Sequence, residues 1–315
     1  MDATLRPRWL RQLSFLSTSN QLLLLDYLAM LHARHYALSS LDNITSVIKR
    51  LVRHLPAARQ ALISNNLTLV TTADLDSLLA FLQTDGYAPA TINQSFSLLG
   101  GFFAFLIENE QMLRQPVSKR RHRVFAPATL PKPMAEADLA PFFKVIDSIR
   151  DRALFLLMLR CGLRVSEACA LSWQDVDWDA GTIRVNNGKG LIDRIAYLAP
   201  DLEQTLRLWR ARNPAAEFLF PSRKAPTTHI KRAIVNLLMA QYLELAGITR
   251  QYSPHSLRHT FATQLLNAGV GLEVLKELLG HHSLQMTLRY AELYEPTKRQ
   301  QYNDAMTRIE KRQAM

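Results

Sequence analysis

The stretch that divides this chain is RQPVSKRRHRVFAPATLPKP, residues 114–133. It belongs to a longer segment, residues 111–133, which has six Lys or Arg side chains and no acidic one. Four prolines interrupt it, and proline disfavours a continuous helix. A proline-punctuated, wholly basic segment between two globular halves predicts a linker that lies along a polyanion.

The charge on either side of this segment is much closer to balance. Residues 1–110 carry eight basic and eight acidic side chains, and residues 134–315 carry 24 against 19, so over half of the net charge of +11 comes from the linker. With 315 residues, 48% hydrophobic and 21% charged, the chain has the composition of two globular domains. We therefore predict an N-terminal domain over 1–110, a linker over 111–133 and a C-terminal domain over 134–315.

The two cysteines, Cys161 and Cys169, are too few for a disulfide framework. They lie within an apolar helical stretch, which favours buried small side chains over metal ligands and suits a reducing cytoplasm. The LLLL run at 22–25 is broken by Asp26, and no small-residue cleavage pattern follows it. No membrane-spanning segment is expected, and the predicted location is cytoplasmic.

The N-terminal half has helical periodicity. Apolar residues recur at three- and four-residue spacing over 21–33 and 41–55. A third helix is predicted over 73–83, with Thr71 or Thr72 as its N-cap, and a fourth over 89–108, with Pro89 in its first turn. These are the four helices of a small bundle.

Two further features of the sequence concern this predicted bundle. Residues 35–55 and 86–106 match in outline, each with Tyr-Ala, a short cap and an amphipathic helix, which predicts two similar helical hairpins. Gly100 and Gly101 interrupt the fourth helix at a cost of about 1 kcal/mol each. We expect them to allow the close approach of a neighbouring helix.

The C-terminal half is again mainly helical, with one exception. Residues 175–178, 182–185 and 194–198 have the pattern of short strands. The last two flank NNGKG, a strong hairpin signal, which presents Lys189 at the tip. The fold class is therefore mainly α, with a helical bundle followed by a mostly helical domain that holds a small antiparallel sheet.

Four places in this half hold polar groups that simple packing does not explain. Arg164 and Glu167 interrupt the apolar stretch RCGLRVSEACAL, residues 160–171, and Lys189 occupies the hairpin. In SPHSLRHTFAT, residues 253–263, the histidine and arginine three residues apart share one face of a helix that begins near Pro254. In LGHHSLQMTLRYAELY, residues 279–294, a glycine ends one helix, a histidine follows, and a tyrosine lies on the next helix. The side chains in question in these last two motifs are His255, Arg258, His281 and Tyr290.

This set fits phosphoryl chemistry better than metal binding. His255, His259, His281 and His282 lack the spacing and the cysteine or glutamate neighbours of common metal sites, so no metal or other cofactor is expected. Two arginines can fork onto phosphate oxygens, a histidine can transfer a proton, and a lysine can protonate a leaving oxygen. A tyrosine can attack phosphorus and form a covalent ester.

In this order the motifs resemble the tyrosine recombinase (phage integrase) family, over nearly the whole chain. They are GLRVSE, GKG, HSLRHTFAT, LLGHHS and a tyrosine nine residues after the first histidine of LLGHHS. Residues 68–106 are similar to the family's core-binding, SAM-like helical domain, and residues from about 134 resemble its catalytic domain. Any one motif is weak, but five in the family's order form a specific pattern.

The resemblance implies a role for each matching residue. Arg164 and Arg258 would bind the scissile phosphate, and Lys189 would be the general acid for the 5′ oxygen. His255 would act as general acid or base, and His281 would hydrogen-bond the phosphate. The nucleophile would be Tyr290, which forms a 3′-phosphotyrosyl link.

Three residues near the predicted catalytic set are not assigned a catalytic role. Tyr294, one helical turn beyond the nucleophile, is expected to pack. Glu167 is expected to hold an arginine in place, since a carboxylate beside the phosphate would repel it. His282 stands where the family often has Ser, and its role is left open.

The DNA contacts are predicted less directly. They comprise the linker side chains Arg114, Lys119, Arg120, Arg121 and Arg123, the polar residues Thr91, Asn93 and Gln94 in the groove, and the pair Lys231 and Arg232 on the backbone. By the resemblance, two domains would form a C-shaped clamp around duplex DNA with inverted-repeat core sites. Strand exchange joins two duplexes, so a tetramer is expected, of one chain or with a paralogue. The tail 297–315 would dock on a neighbour.

Two other functions remain open at this point. A type IB-like topoisomerase has similar chemistry and would relax supercoiled DNA of any sequence as a monomer. A non-catalytic DNA-binding protein of the same fold would bind without forming a covalent product. The full catalytic set favours a site-specific recombinase, acting in integration, excision or resolution of a mobile element or replicon.

Overall fold

The chain divides into two compact units in the computed structural model, Met1–Ala128 and Thr129–Met315. The structure describes residues 5–127, 131–186, 193–281 and 283–291, with 302–303, 306–307, 309–310 and 313 near the C-terminus. The division falls inside the segment predicted as the linker, and the predicted domain limits stay a prediction. Lys189, His282, Tyr294 and most of the tail lie outside the described residues.

Unit 1 is a helical bundle. Its helices are α1 Leu5–Gln12, α2 Thr18–Ala33, α3 Leu38–Arg53, α4 Ala57–Asn65, α5 Thr72–Thr84, α6 Pro89–Glu108 and the short α7 Lys119–His122. The four helices expected from periodicity are all present, while α1, α4 and the short α7 are additional. Thr71 caps α5, because its hydroxyl accepts from the Asp74 amide while the Asp74 carboxylate accepts from the Thr71 amide.

The outline repeat corresponds to two helical hairpins with the same turn. After α2, His35 has φ +59°, and the Tyr36 amide donates to the Leu31 carbonyl. After α5, Gly86 has φ +74°, and the Tyr87 amide donates to the Leu82 carbonyl. Both are left-handed helix ends of the Schellman kind, so the prediction of two similar hairpins is confirmed at the level of backbone geometry.

Of the two glycines in α6, Gly101 allows the close approach of a helix, whereas a Cβ on Gly100 would only make an ordinary contact with Val117. A Cβ added to Gly101 would lie 2.8 Å from the Tyr27 hydroxyl oxygen on α2. Between Pro89 and Glu108, α6 is also long and apolar enough to cross a membrane, with a mean hydropathy of 1.4, which corrects the expectation that no segment reaches that range. Its side chains Phe102 and Phe103 are fully buried in the bundle core, as in the core helix of a globular domain.

The first part of the basic segment packs on this bundle. His122 is 1% exposed and stacks on Phe96, with ring centroids 4.8 Å apart. Its Nδ1 accepts from the Ser118 amide at 3.0 Å, and its Nε2 lies 3.1 Å from Asp76 Oδ1. Residues 118–122 lie in the segment that the sequence predicted as a linker, but they are folded onto the bundle, because a buried histidine holds them against the core.

Unit 2 is mostly helical and contains one small sheet. The strands β1 Val176–Asp177, β2 Thr182–Val185 and β3 Arg194–Tyr197 form an antiparallel sheet in the order β1-β2-β3, with Ile183 opposite Val176 and Ala196. The helices are α8 Glu136–Lys144, α9 Ile149–Arg160, α10 Val165–Ala170, α11 Pro200–Arg212, α12 Arg232–Leu245, α13 Pro254–Asn267, α14 Leu272–Leu279 and α15 Leu284–Ala291. The predicted fold class is confirmed.

The core of unit 2 is built around α9, which packs against α11 and α13. Its residues from Ala153 to Leu159 are all buried, which a helix that is apolar on every side requires. Cys161 ends α9, and Cys169 lies on α10; both are buried free thiols, as predicted. Burial raises the pKa of Cys161 to about 12. The end of α9 and the start of α10 carry the GLR motif into the functional site.

Candidate active site

One cavity of about 740 Å³ in unit 2 gathers the predicted catalytic side chains. Five of the six line it, and they come from α13, α15, the start of α10 and the turn before α15: Arg164, His255, Arg258, His281 and Tyr290. The sixth, Lys189, lies outside the described residues. Lys132 and His259 also line the cavity, and the sequence assigned neither of them a role in catalysis.

Glu167 anchors the arginine at the cavity rim. The Arg164 guanidinium donates to Glu167 Oε1 at 2.6 Å, and the Arg164 amide donates to Oε2 at 2.8 Å. Arg164 precedes α10, and Glu167 occupies the third helical position, so the carboxylate also satisfies a free amide at the helix start. The expected holding role of Glu167 agrees with these contacts.

Arg194 on β3 is a second partner of Glu167, and the sequence interpretation missed it. Its Nη2 donates to Glu167 Oε2 at 2.7 Å, and its Nε donates to the Leu278 carbonyl at 2.9 Å. Burial alone would raise the pKa of Glu167, but hydrogen bonds and charge from Arg194 and Arg164 outweigh it and lower this pKa to about 2. The sequence shows only an arginine at the start of a short strand. Its burial is visible only in the structure, and arginine is seldom buried unless it is paired.

Arg258 is almost wholly buried, with 3% of its surface exposed. Its guanidinium donates to the Gly162 carbonyl and, at 2.7 Å, to the Leu279 carbonyl, and Nη1 lies 3.9 Å from Glu167 Oε2. Burial and the charge of Arg164 lower the pKa of Arg258 to about 9. The group is thus held by two carbonyls, with its charge directed to the cavity that it lines.

Gly162 makes this arrangement sterically feasible. It has φ +60°, and an added Cβ would overlap the Phe261 ring. A side chain here would meet both the left-handed backbone penalty and that overlap. The conformation points the Gly162 carbonyl at Arg258.

His281 follows the left-handed end of α14 at Gly280, as predicted. The ring is buried, and its Nδ1 lies 3.0 Å from the hydroxyl of Thr287, a fully buried residue that the sequence did not single out. Burial, with the charges of Arg258 and Arg164, lowers the pKa of His281 to about 3. The ring is neutral near pH 7 and lines the cavity.

His255 is exposed at the cavity edge, one turn from Arg258 on α13. Desolvation lowers its pKa, and the charges of Arg258, Arg164 and Arg232 act in the same direction. The predicted shared face of His255 and Arg258 is confirmed, since both line the same cavity.

Tyr290 is the buried phenol of the cavity, 3% exposed. Its hydroxyl lies 2.7 Å from Nδ1 of His259, and its ring stacks on His281 with centroids 6.3 Å apart. Desolvation, with the charges of His255 and Arg258, lowers the pKa of His259 to about 4. The interpretation of the sequence considered His259 only as a metal ligand, and within the described residues no cluster of three His, Cys, Asp or Glu side chains has metal-site geometry.

The predicted DNA contacts fall into two groups. Thr91, Gln94, Lys231 and the five linker side chains predicted as DNA contacts are exposed, although Arg121 forms an ion pair with Asp76. Arg232 begins α12. Asn93 is corrected, because both ends of its amide are occupied: Nδ2 donates to the Val124 carbonyl at 2.8 Å, and Oδ1 accepts from the Val124 amide at 2.9 Å. It fastens the basic segment to α6 and is not free to contact a base.

The arrangement concentrates positive charge around a buried phenol and neutral imidazoles. Arg164 and Arg258 supply fixed cations, and His281 and His259 supply uncharged ring nitrogens that can donate or accept. Such a cavity suits a tetrahedral anion that gains charge during reaction, because preorganised donors stabilise it without reorganisation. The nearby phenol oxygen is a nucleophile of the right type for phosphorus.

Comparisons with known proteins agree with this chemistry. Residues 133–297 match the profile of the phage integrase family. The chain is 36% identical over 226 residues to a protein named tyrosine recombinase XerA from Pyrococcus furiosus, covering 70% of this chain and 76% of that protein.

Solved structures share the fold. A lambda integrase fragment, solved as a dimer bound to a COC′ core site, has a TM-score of 0.67 at 19% identity, over 84% of this chain and 95% of that one. A lambda integrase tetramer bound to a Holliday junction has a TM-score of 0.68 at 20% identity, over 85% of this chain and 76% of that one.

Proposed function

The chain belongs to the phage integrase family and is a tyrosine-type site-specific DNA recombinase, and from this premise we propose that it cleaves and rejoins duplex DNA through a 3′-phosphotyrosyl bond on Tyr290. The observation that carries the assignment is the position of the Tyr290 hydroxyl in the cavity lined by Arg164, Arg258 and His281. A phosphodiester in this cavity would have a nucleophile and fixed cations around one phosphorus atom.

The two arginines would hold the non-bridging oxygens of the scissile phosphate. Arg258 is supported in this role by its backbone carbonyl partners, and Arg164 by its ion pair with Glu167. Such preorganisation matters because phosphoryl transfer depends mainly on positioning and on stabilising charge. The contacts with the two arginines would stabilise the pentacoordinate transition state more than the bound substrate, because the transition state has more negative charge on these oxygens.

The remaining residues would assist the phosphate and the leaving group. With the Thr287 hydroxyl donating to Nδ1, neutral His281 carries its proton on Nε2 and can donate to a phosphate oxygen. His255, at the cavity edge, would act as general acid or base, and Lys189 would protonate the 5′ oxygen as it leaves. The tyrosyl ester conserves the phosphodiester bond energy, so religation to a new partner needs neither ATP nor a metal.

We infer that the substrate is duplex DNA with inverted-repeat core sites, bound by the basic segment, Thr91, Gln94, Lys231 and Arg232. Two exchanging duplexes present four sites for cleavage, which supports a tetramer, of this chain alone or with a paralogue. We place the enzyme in the cytoplasm, on the nucleoid, and its task in integration, excision or resolution.

The test begins with a DNA site chosen by the protein itself. Duplexes would be selected from a random pool with the Tyr290→Phe variant, which should bind without reacting. The selected site would then be rebuilt as a nicked substrate, from which the cleaved end diffuses away and traps the covalent product. Wild type, Tyr290→Phe and Tyr294→Phe would be compared on a denaturing gel.

A protein–DNA band that disappears only in Tyr290→Phe is the expected result. A band that disappears only in Tyr294→Phe would move the nucleophile by one helical turn. Binding without any band, in every version, would contradict the proposed reaction and favour a DNA-binding role. A supercoiled plasmid without the selected site would separate recombination from general topoisomerase activity, since only the latter would relax it.

A further inference from the structure

His259 is a titratable group in direct contact with the hydroxyl of the proposed nucleophile. Its Nδ1 lies 2.7 Å from the Tyr290 hydroxyl oxygen, with the two rings 5.6 Å apart between centroids. The histidine lines the same cavity as the arginines and is half-buried on α13. A contact of this length between a phenol and an imidazole is a full hydrogen bond.

The charges around the pair favour a neutral histidine that accepts. His255 and Arg258 face His259 from its own helix, and His281, after α14, stacks on the Tyr290 ring. Desolvation, with the charges of His255 and Arg258, lowers the pKa of His259 to about 4, so the ring is neutral near pH 7. When Nε2 carries the ring proton, Nδ1 accepts the phenol hydrogen, which is the proton that Tyr290 must lose when its oxygen bonds to phosphorus.

We propose that His259 is the general base that takes the phenol proton when Tyr290 attacks the scissile phosphate. This inference rests on the proposed function. As the Tyr290 Oη–P bond forms, the Oη–H proton passes to His259 Nδ1. The P–O5′ bond breaks, and the leaving oxygen takes its proton from Lys189. During religation the 5′ hydroxyl attacks phosphorus and gives its proton to Lys189. The Tyr290 Oη–P bond breaks, and His259 returns its proton to Tyr290.

His255 and His281 are less suited to this step. His255 is exposed at the cavity edge, so its general acid or base role would concern protons other than that of the phenol. The His281 Nδ1 is engaged with Thr287, and the His281 ring plane is within 12° of the plane of the Tyr290 ring, so the phenol meets its face. The arginine that precedes His259 in the chain, Arg258, has guanidinium donors only and cannot accept a proton. The imidazolium that forms on His259 would be stabilised by the negative charge of the bound phosphate. The phosphate would therefore raise the pKa of His259 when the substrate is present.

The experiment measures single-turnover cleavage of two versions of the selected nicked site. One has the ordinary 5′ oxygen, and the other has sulfur at that bridging position, which leaves without a general acid. His259→Asn, His259→Ala and Lys189→Ala would be compared with wild type. Asn places an amide near the position of Nδ1, so it keeps a hydrogen bond to Tyr290 but cannot accept a proton.

Both His259 variants should bind the site and melt close to wild type, yet cleave both substrates about 100- to 10,000-fold more slowly. The Lys189→Ala defect should largely disappear with sulfur, whereas the His259 defect should remain. Wild-type cleavage by His259→Asn would overturn the proposal, because it would leave only a structural hydrogen bond. Rescue of His259→Asn by sulfur would also overturn it, because the histidine would then act on the leaving group.

These outcomes are distinct from a failure of the proposed function. If Tyr290→Phe still forms the covalent product, the nucleophile is wrong and His259 has no reaction to assist. If wild type forms the product, Tyr290→Phe does not, and His259→Asn equals wild type, then only the role of His259 is wrong.

Discussion

Glu167 places a negative charge beside a cavity suited to a phosphate, and its neighbours explain how this is tolerated. Arg164 and Arg194 bind its two oxygens, and Arg258 lies 3.9 Å away. The carboxylate thus separates three cations that would repel each other at close range. Arg194 neutralises it from the buried side and leaves Arg164 and Arg258 to face the cavity.

Arg194→Gln should therefore reduce cleavage without abolishing DNA binding. Removing one partner of a buried ion pair costs about 3–5 kcal/mol of unfolding free energy and leaves Glu167 to draw Arg164 or Arg258 out of position. We expect a lower melting temperature and slower single-turnover cleavage at saturating DNA. Arg194→Lys keeps the charge but loses the fork, and it should fall between Gln and wild type. Equal cleavage by all three proteins would contradict this positioning role.

The two hairpin turns of unit 1 make a matched pair for a stability test. His35 and Gly86 have the same left-handed geometry, but only glycine adopts it without strain. His35→Gly should raise the unfolding free energy of unit 1 by up to about 1 kcal/mol, and Gly86→Ala should lower it by a similar amount. Urea unfolding at fixed pH measures both, and a loss of stability in His35→Gly would show that its side chain contributes more than its backbone costs.

At the scale of elements, the basic segment behaves as part of unit 1. His122 is stacked on Phe96 and bonded to Ser118, Asn93 holds Val124, and the Gln115 side-chain amide donates to the Gly100 carbonyl. The exposed cations of this segment therefore start from a fixed backbone, which reduces the entropy lost when they bind a polyanion.

His122→Ala should release the segment and weaken DNA binding. The variant removes the stacked ring and the contact with Asp76, so Lys119, Arg120 and Arg123 must be ordered on binding. We expect a higher dissociation constant at 0.1 M salt, with a nearly unchanged slope of log K against log salt, since no phosphate-binding charge is removed. His54→Ala is the control, because His54 is an exposed histidine stacked on Phe81 in the same unit. A matching loss of affinity in His54→Ala would contradict a specific role for His122.

At the scale of the molecule, the neutral histidines make unit 2 sensitive to acid. The pKa is lowered to about 4 for His259 and about 3 for His281, from 6.5 for the unperturbed group. The unfolded chain binds more protons than the folded one below pH 6.5, so stability should fall as pH drops from about 7 to about 4. The lowered pKa of Glu167, about 2, adds a further loss only below about pH 4.5.

Thermal melts between pH 7 and pH 4, followed by tryptophan fluorescence, measure this effect. Three of the four tryptophans, Trp173, Trp178 and Trp209, belong to unit 2, so the signal reports mainly on that unit. His281→Gln should melt with a weaker pH dependence than wild type over this range. The opposite trend, a rise in stability toward pH 4, would contradict neutral histidines in the folded state.

The sequence alone determined the local order of this protein. Helices α2, α3, α5 and α6 follow from apolar periodicity, the β2–β3 pair from its turn, and the left-handed Gly280 from its place after α14. The fold class, the family and the five described members of the predicted catalytic set were also accessible, because motif spacing along the chain carries them. The boundaries of the elements were harder to predict, because α1 and α4 have weak apolar patterns. The prolines of the basic segment also gave no sign that part of it is folded.

Only the tertiary structure decided which distant residues meet. Arg194, Thr287 and His259 become part of the site through contacts with Glu167, His281 and Tyr290 that span from six to 31 positions in sequence. The predicted base contact of Asn93 was lost to the backbone of Val124 in the same way. Periodicity and turn chemistry are local properties of a chain, whereas a hydrogen-bond partner depends on how helices and strands pack, and packing is a property of the folded whole.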